Sequence, residues 1–344
     1  MSRPGVAVEA GVETEVGARA DAEPLLRVED LRVTFGAGGD AVHAVNGISY
    51  DVGAGRSLGI VGESGSGKTV GTKSILRLLG RGARMDGRIV FGGRNLLALP
   101  EREMRQVRGQ RIGMVFQDPQ TYLNPTLTIG RQIAEPILWH GLAGPRRARE
   151  RAIELLDQVG IPSPRERFSQ YPFEFSGGML QRALVAMALA CDPDVLIADE
   201  PITALDVIVQ AQILLLLRRL KAKRGMSLIL VTHDLAVAAQ VTDEILVMYA
   251  GMVVERATAQ RFLGQSRHPY TRGLIDCSPR LFGPVRRLMP IPGAPPSLKG
   301  PPGAGCPFAP RCALKIDRCT AERPKFVAIA EGHRVACWRW EAVV

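Results

Sequence analysis

The chain has 344 residues, of which 46% are hydrophobic and 23% charged, with six cysteines and a formal charge of +10. This excludes a small stapled scaffold and a largely disordered chain, and it leaves enough apolar surface for one large core with an appendage. Its longest apolar runs, such as 213–217 and 227–231, fall far short of the roughly 20 residues that span a bilayer, and its Lys and Arg are interspersed with acids, which favours a generic basic surface over a nucleic-acid face.

Residues 1–24 are rich in Ala, Gly, Val and Glu, without a basic start followed by an apolar block. They read as a flexible leader without a secretory signal, which implies a cytoplasmic chain. From Leu25, apolar alternation at Leu31, Val33 and Phe35, then at Ile48, Tyr50 and Val52, predicts an antiparallel β layer. Ser57–Val61 is a short apolar strand that runs into a glycine-rich loop and a helical stretch over 68–79. Residues 111–116 predict another strand. Residues 129–160 carry helical periodicity interrupted at Pro136 and near Gly144 and Pro145, a mostly helical block. A helix over 179–190, a buried strand over 195–198, a helix over 207–224 and a second buried strand over 227–232 complete an α/β alternation that calls for a mainly parallel sheet. Beyond Gly264, Pro and Gly crowd 277–303, a linker or a lobe packed on the core. No internal repeat is visible.

The loop Gly62, Glu63, Ser64, Gly65, Ser66, Gly67, Lys68, Thr69 fits G-x-x-x-x-G-K-[ST] between a strand and a helix. In such a P-loop the glycines let backbone N–H groups curl around phosphates and the helix N-terminus adds positive potential. Lys68 reaches the β and γ phosphates of ATP, and the Thr69 hydroxyl can ligate Mg²⁺. A P-loop also needs a distant strand ending in an acid that completes the Mg²⁺ shell. The strand ending at Asp199 supplies it, and Glu200 follows as candidate general base for an attacking water.

Those elements are common to many nucleotide hydrolases; the order of the remaining motifs discriminates among them. Gln117 follows the strand over 111–116. Phe175, Ser176, Gly177, Gly178 and Met179 precede a helix and offer a second anion site. Ala204, Leu205 and Asp206 follow Glu200, and His233 ends the next strand. This sequence of stations resembles the cassette of ABC ATPases, with Phe175 and Met179 departing from the LSGGQ signature, and Phe173 standing where a polar residue is usual.

The segments Phe116-Gln117-Asp118-Pro119, Leu123-Asn124-Pro125, Gln210-Ala211-Gln212-Ile213 and His268-Pro269-Tyr270-Thr271 resemble the oligopeptide/dipeptide and nickel importer branch of that family, over about residues 25–340. The resemblance implies an α/β P-loop cassette over 25–264, with a RecA-like core, an antiparallel β layer and a helical signature subdomain over about 118–190, followed by a C-terminal extension over 265–344. It implies ATP and Mg²⁺ as cofactors, with Gln117 reaching the Mg²⁺ and linking the site to the transmembrane partners and His233 contacting the γ-phosphate. It also implies a head-to-tail dimer in which Ser176 to Met179 act on the other subunit's nucleotide, with Asp206 at the seam and Phe35 stacking on adenine. The implied partners are two transmembrane permease subunits, a second, paralogous ATPase and an extracytoplasmic solute-binding protein, at the cytoplasmic face of the membrane. The solute is a peptide, or nickel or another small solute; a soluble ATPase acting on nucleic acid is the alternative from another class.

Cys306, Cys312, Cys319 and Cys337 are separated by five, six and seventeen residues. That spacing is not the usual zinc pairing, and thiolates without a matching His suit an iron–sulfur cluster or an irregular Cys₄ zinc site. The resemblance implies the first, a [4Fe–4S] cluster.

Overall fold

The computed structural model describes residues 23–203, 205–277 and 289–343. Most of the expected leader, Ala204 and part of the Pro- and Gly-rich segment lie outside the described residues.

In chain order the strands are β1 (Leu26–Phe35), β2 (Val42–Val52), β3 (Ser57–Val61), β4 (Ala83–Phe91), β5 (Arg94–Asn95), β6 (Ile112–Val115), β7 (Val195–Asp199), β8 (Ser227–Thr232), β9 (Glu244–Tyr249), β10 (Met252–Thr258), β11 (Val327–Ala330) and β12 (His333–Val335). Among the described residues they form two sheets. One is antiparallel, in the order β2-β1-β4-β5; the other has eight strands, in the order β11-β12-β10-β9-β3-β8-β7-β6. From β6 through β7, β8 and β3 to β9 the larger sheet is parallel. Antiparallel pairing then carries it through β10, β12 and β11.

The parallel strands are buried along their whole length: β3, β7 and β8 have no exposed position. A sheet covered on both faces selects unbroken apolar runs such as VLIAD and SLILVT rather than alternation. On one face lies the antiparallel sheet, whose Leu26, Leu31, Ile48 and Ile89 join Leu58, Ile60, Ile197 and Val231 in one core. On the other, the helices Ile129–Trp139, Pro145–Gln158 and Gly177–Ala188 pack around Ile133, Leu155 and Leu184, in a core that reaches Leu196, Leu228 and Leu217 of the helix Val207–Arg224.

Pro136 does not interrupt the helix as its residue type predicts. It lies inside Ile129–Trp139, where burial of Ile133, Ala134 and Ile137 outweighs the lost backbone hydrogen bond. The helix over 68–79 is shorter than expected and ends at Ile75.

The C-terminal segment is a lobe packed on the core rather than a linker. The helix Pro269–Cys277 buries Tyr270, Thr271 and Ile275. His43 N–H donates to Leu298 C=O at 2.8 Å, and Gly300 N–H to Ala41 C=O at 2.9 Å. A core of Tyr249, Phe262, Tyr270 and Phe308 joins this lobe to β9 and β3. No helix among the described residues is long and apolar enough to cross a membrane.

Candidate nucleotide site

β3 delivers the glycine-rich loop to the C-terminal edge of the parallel sheet, where open α/β sheets present their ligand sites. Gly67 has φ 96°, and a Cβ there would stand 2.4 Å from Ala44 C=O; at Gly62 it would stand 2.2 Å from Met248 C=O. Side chains are thus excluded from both ends of the loop, leaving backbone N–H groups at the head of the helix Lys68–Ile75. Lys68 folds back over the loop, its Nζ donating to Gly62 C=O at 2.8 Å and Glu63 C=O at 2.9 Å. Burial lowers its pKa, against the opposing pull of Glu200, Asp199 and Glu63.

Thr69 Oγ1 donates to Asp199 Oδ1 at 2.9 Å. Asp199 ends β7, nearly inaccessible, and burial raises its pKa. Glu200, the next residue, takes a left-handed backbone (φ 47°), a conformation that costs a non-glycine residue energy and concentrates at functional sites. Its N–H is anchored on Val231 C=O at 2.9 Å. Glu200 Oε2 accepts from Thr203 Oγ1 at 3.0 Å and from Gln117 Nε2 at 3.3 Å, and lies 3.6 Å from His233 Nδ1. At that distance the His233 contact is a charge interaction rather than a hydrogen bond. It lowers the Glu200 pKa and raises that of His233. His233 is held in place by Asp234, whose carboxylate caps the helix Leu235–Val241 by accepting from Ala236 N–H and Val237 N–H.

The residues fit a magnesium nucleotide. Thr69 and Asp199 offer hard oxygen ligands side by side, and the buried Ser66 hydroxyl has no hydrogen-bond partner in the loop that would surround the phosphates. Gln117, the adjacent pair Asp199 and Glu200, and His233 therefore converge on the P-loop from three separate segments.

Other expected residues stand apart. Ser176 caps the helix Gly177–Ala188, its Oγ accepting from Met179 N–H at 3.4 Å. Among the described residues no hydrogen bond or ion pair joins Ser176, Gly177, Gly178 or Met179 to the loop 62–69. Asp206 caps the helix Val207–Arg224 through Val209 N–H. Phe35 ends β1, half-buried against the core of the antiparallel sheet. Phe175 is buried in the helical core, whereas Phe173 is exposed and stacks on Tyr171.

Comparison with known proteins decides the family. The ABC transporter profile matches residues 45–203, and that of the oligopeptide/dipeptide transporter C-terminal region matches 254–319. The dipeptide transport ATP-binding protein DppD of Bacillus subtilis is 48% identical over 318 residues, 92% of this chain and 95% of that protein. The chain belongs to the ABC transporter family, in its peptide-transport branch. A probable peptide ABC transporter ATP-binding protein of Sinorhizobium fredii is also 48% identical, over 94% of this chain and 97% of its own length. The ABC fold is matched by the dimeric cassette MJ0796, solved in a post-hydrolysis state with ADP and phosphate. It superimposes with a TM-score of 0.61 at 27% identity, over 68% of this chain and 98% of that one.

The metal cluster expected in this ABC subunit is overturned. Cys306, Cys312, Cys319 and Cys337 line one small apolar hollow with Phe308 and Trp338. Among the described residues, however, no group of three or more His, Cys, Asp or Glu side chains is placed to hold a metal ion, so neither the [4Fe–4S] cluster nor the zinc alternative stands. Burial pushes the thiols of Cys306 and Cys312 up, and that of Cys337 to about 12.

Three residues around the ABC site have contacts that a motif reading does not supply. Thr203 is visible only through its bond to Glu200. Tyr270 Oη accepts from the P-loop Glu63 N–H at 2.8 Å, which gives the His268-Pro269-Tyr270-Thr271 segment a physical role. Arg311 donates to the Glu63 carboxylate at 2.8 and 3.1 Å; its place between Cys306 and Cys312 is the one sequence signal that marks it.

Proposed function

We propose that this chain is the ATP-binding and ATP-hydrolysing subunit that powers an ABC importer of di- or oligopeptides, docked at the cytoplasmic face of the membrane on two permease subunits. The observation that carries the reading is the Thr69–Asp199 contact at 2.9 Å, with the Glu200 carboxylate held beside it by Thr203, Gln117 and His233.

In this reading the loop 62–69 receives the triphosphate, Thr69 and Asp199 hold Mg²⁺ with Gln117 able to reach it, and Phe35 stacks on adenine. Bound Mg²⁺ would neutralise charge on the phosphate oxygens. Glu200, kept ionised by its neighbours, accepts a proton from the attacking water, and His233 faces the γ-phosphate. Ser176, Gly177, Gly178 and Met179, unbonded to their own loop, form an N-terminal anion site that serves the nucleotide of a second, paralogous ATPase subunit across a seam at Asp206. The cassette spans 25–264, and 265–344 form an extension characteristic of peptide importers, containing four free cysteines. A solute-binding protein outside the membrane hands peptide to the permeases. The peptide assignment draws support from the names of relatives matched over nearly their full length.

The reading is tested by Lys68→Ala in cells that depend on this transporter for peptide uptake, with ATP hydrolysis measured on the assembled complex. Both activities are expected to vanish; uptake at the unaltered rate contradicts the site.

A further inference from the structure

Glu63 is a misplaced charge for a loop that must attract a triphosphate. It occupies the second position of the P-loop, and its carboxylate adds a negative charge where nucleotide phosphates are to bind. The structure answers that charge from the far end of the chain. Arg311 stands in the short turn Ala309–Arg311, and its guanidinium pairs with both Glu63 oxygens, at 2.8 and 3.1 Å. This fork-on-fork arrangement is the strongest ion-pair geometry that side chains offer.

The pair is built rather than incidental. The Arg311 side chain is 6% exposed. Its remaining donors are used: Nε donates to Pro292 C=O at 2.8 Å, and the terminal nitrogens reach Ile291 C=O at 3.4 Å and the Tyr249 hydroxyl at 3.3 Å. Its guanidinium carbon lies 5.8 Å from the Tyr249 ring centroid and 5.9 Å from that of Phe308. The Glu63 backbone is gripped as well, its N–H by Tyr270 and its C=O by Lys68. The residue whose carbonyl orients the phosphate-binding lysine is thus fixed through its carboxylate by the C-terminal extension.

We propose that Arg311 is a positioning residue of the nucleotide site in its own subunit: it neutralises and holds Glu63, so that the P-loop presents a positive field to ATP. The extension is then part of the ATP site and not only an addition to the cassette. The proposal rests on the ATP-site reading given above.

The experiment measures Mg-ATP affinity of the purified full chain, with a fluorescent ATP analogue displaced by ATP, for a charge series at these two positions. Arg311→Gln leaves Glu63 bare and weakens binding roughly tenfold, the order expected of an uncompensated like charge near a ligand. Glu63→Gln leaves Arg311 positive and tightens binding by about threefold. Glu63→Gln with Arg311→Gln restores an affinity near that of the wild type, and all differences shrink as salt is raised. A residue that merely holds the lobe together gives no such order. If Glu63→Gln weakens binding, or the double variant binds as poorly as Arg311→Gln, the proposal is overturned; the Glu63→Gln result decides even where Arg311→Gln does not fold. Wild type and Lys68→Ala separate the two levels of the argument. Wild-type chain that does not bind Mg-ATP removes the ATP-site reading itself, whereas binding lost in Lys68→Ala with no charge ordering at 63 and 311 removes this proposal alone.

Discussion

The Thr69 hydroxyl donates to Asp199 at 2.9 Å, joining the head of the P-loop helix to the end of β7. The two residues come from separate βα units, so the contact forms only when the parallel sheet is in register. A carboxylate this buried tolerates its charge because the hydroxyl and nearby cations face it. Asp199→Asn keeps the shape and the hydrogen bond but removes the charge that would face Mg²⁺. The expected result is a hydrolysis rate lower by about 100-fold or more and a raised Mg²⁺ requirement, read from ATPase rates across a magnesium titration. An unshifted requirement would take Asp199 out of the metal shell.

Glu200 offers a separable test, because its carboxylate accepts from Thr203 and Gln117 and faces His233 without supporting the phosphate loop. Glu200→Gln preserves size and removes the proton acceptor. Hydrolysis is expected to fall by roughly 10²–10⁴-fold, the usual contribution of general-base catalysis, while ATP binding persists and the closed dimer accumulates. Size-exclusion chromatography of the two ATPase subunits, separated from the permeases, with ATP checks the second outcome, and rapid turnover in this variant would assign the base elsewhere.

Gly67 tests the loop itself. At φ 96° it lies in a region that disfavours a side chain, and an added Cβ would meet the Ala44 carbonyl at 2.4 Å. That oxygen belongs to the backbone of β2, which is held in a sheet and cannot swing away. Gly67→Ala is therefore expected to destabilise the chain by about 1–3 kcal/mol and to weaken nucleotide binding. Thermal denaturation with and without ATP checks it: the variant melts lower, and ATP raises its melting temperature less than that of the wild type.

Most of the core was legible because its signals are local. The apolar runs ending at Val61, Asp199 and Thr232 could be read as buried strands from their lack of alternation, and the P-loop and Asp199-Glu200 stations follow from strand ends. What was not legible depends on tertiary placement. Pro136 continues a helix because its neighbours are buried. The four cysteines are close in sequence yet line an apolar hollow as free cysteines, and spacing alone does not reveal their surroundings. Arg311 meets Glu63 across a separation of 248 residues, a pairing that no local pattern encodes.

His268 supplies a prediction about acid stability. It is buried to 1% exposure; its Nδ1 accepts from Tyr270 N–H at 3.1 Å and its backbone N–H donates to Glu255 at 3.0 Å. Glu255, itself fully buried, also faces His333 Nε2 at 2.8 Å and accepts from Arg267 N–H. Burial lowers the His268 pKa from 6.5 to about 4, the Glu255 charge only partly opposing it. Between these two values the unfolded chain binds a proton that the folded chain refuses. The contribution of His268 is therefore fully present above its ordinary value and is lost as pH falls from about 6.5 towards 4, by an amount on the order of 3 kcal/mol in all. His268→Asn can still accept from Tyr270 N–H but does not titrate, while Glu255, His333 and Arg267 remain in both proteins and cancel in the difference. Urea midpoints taken from pH 7.5 to pH 4.5 should show the variant less stable at neutral pH yet losing less on acidification, so that the two curves converge. Parallel curves would mean that another group carries the acid sensitivity of this lobe.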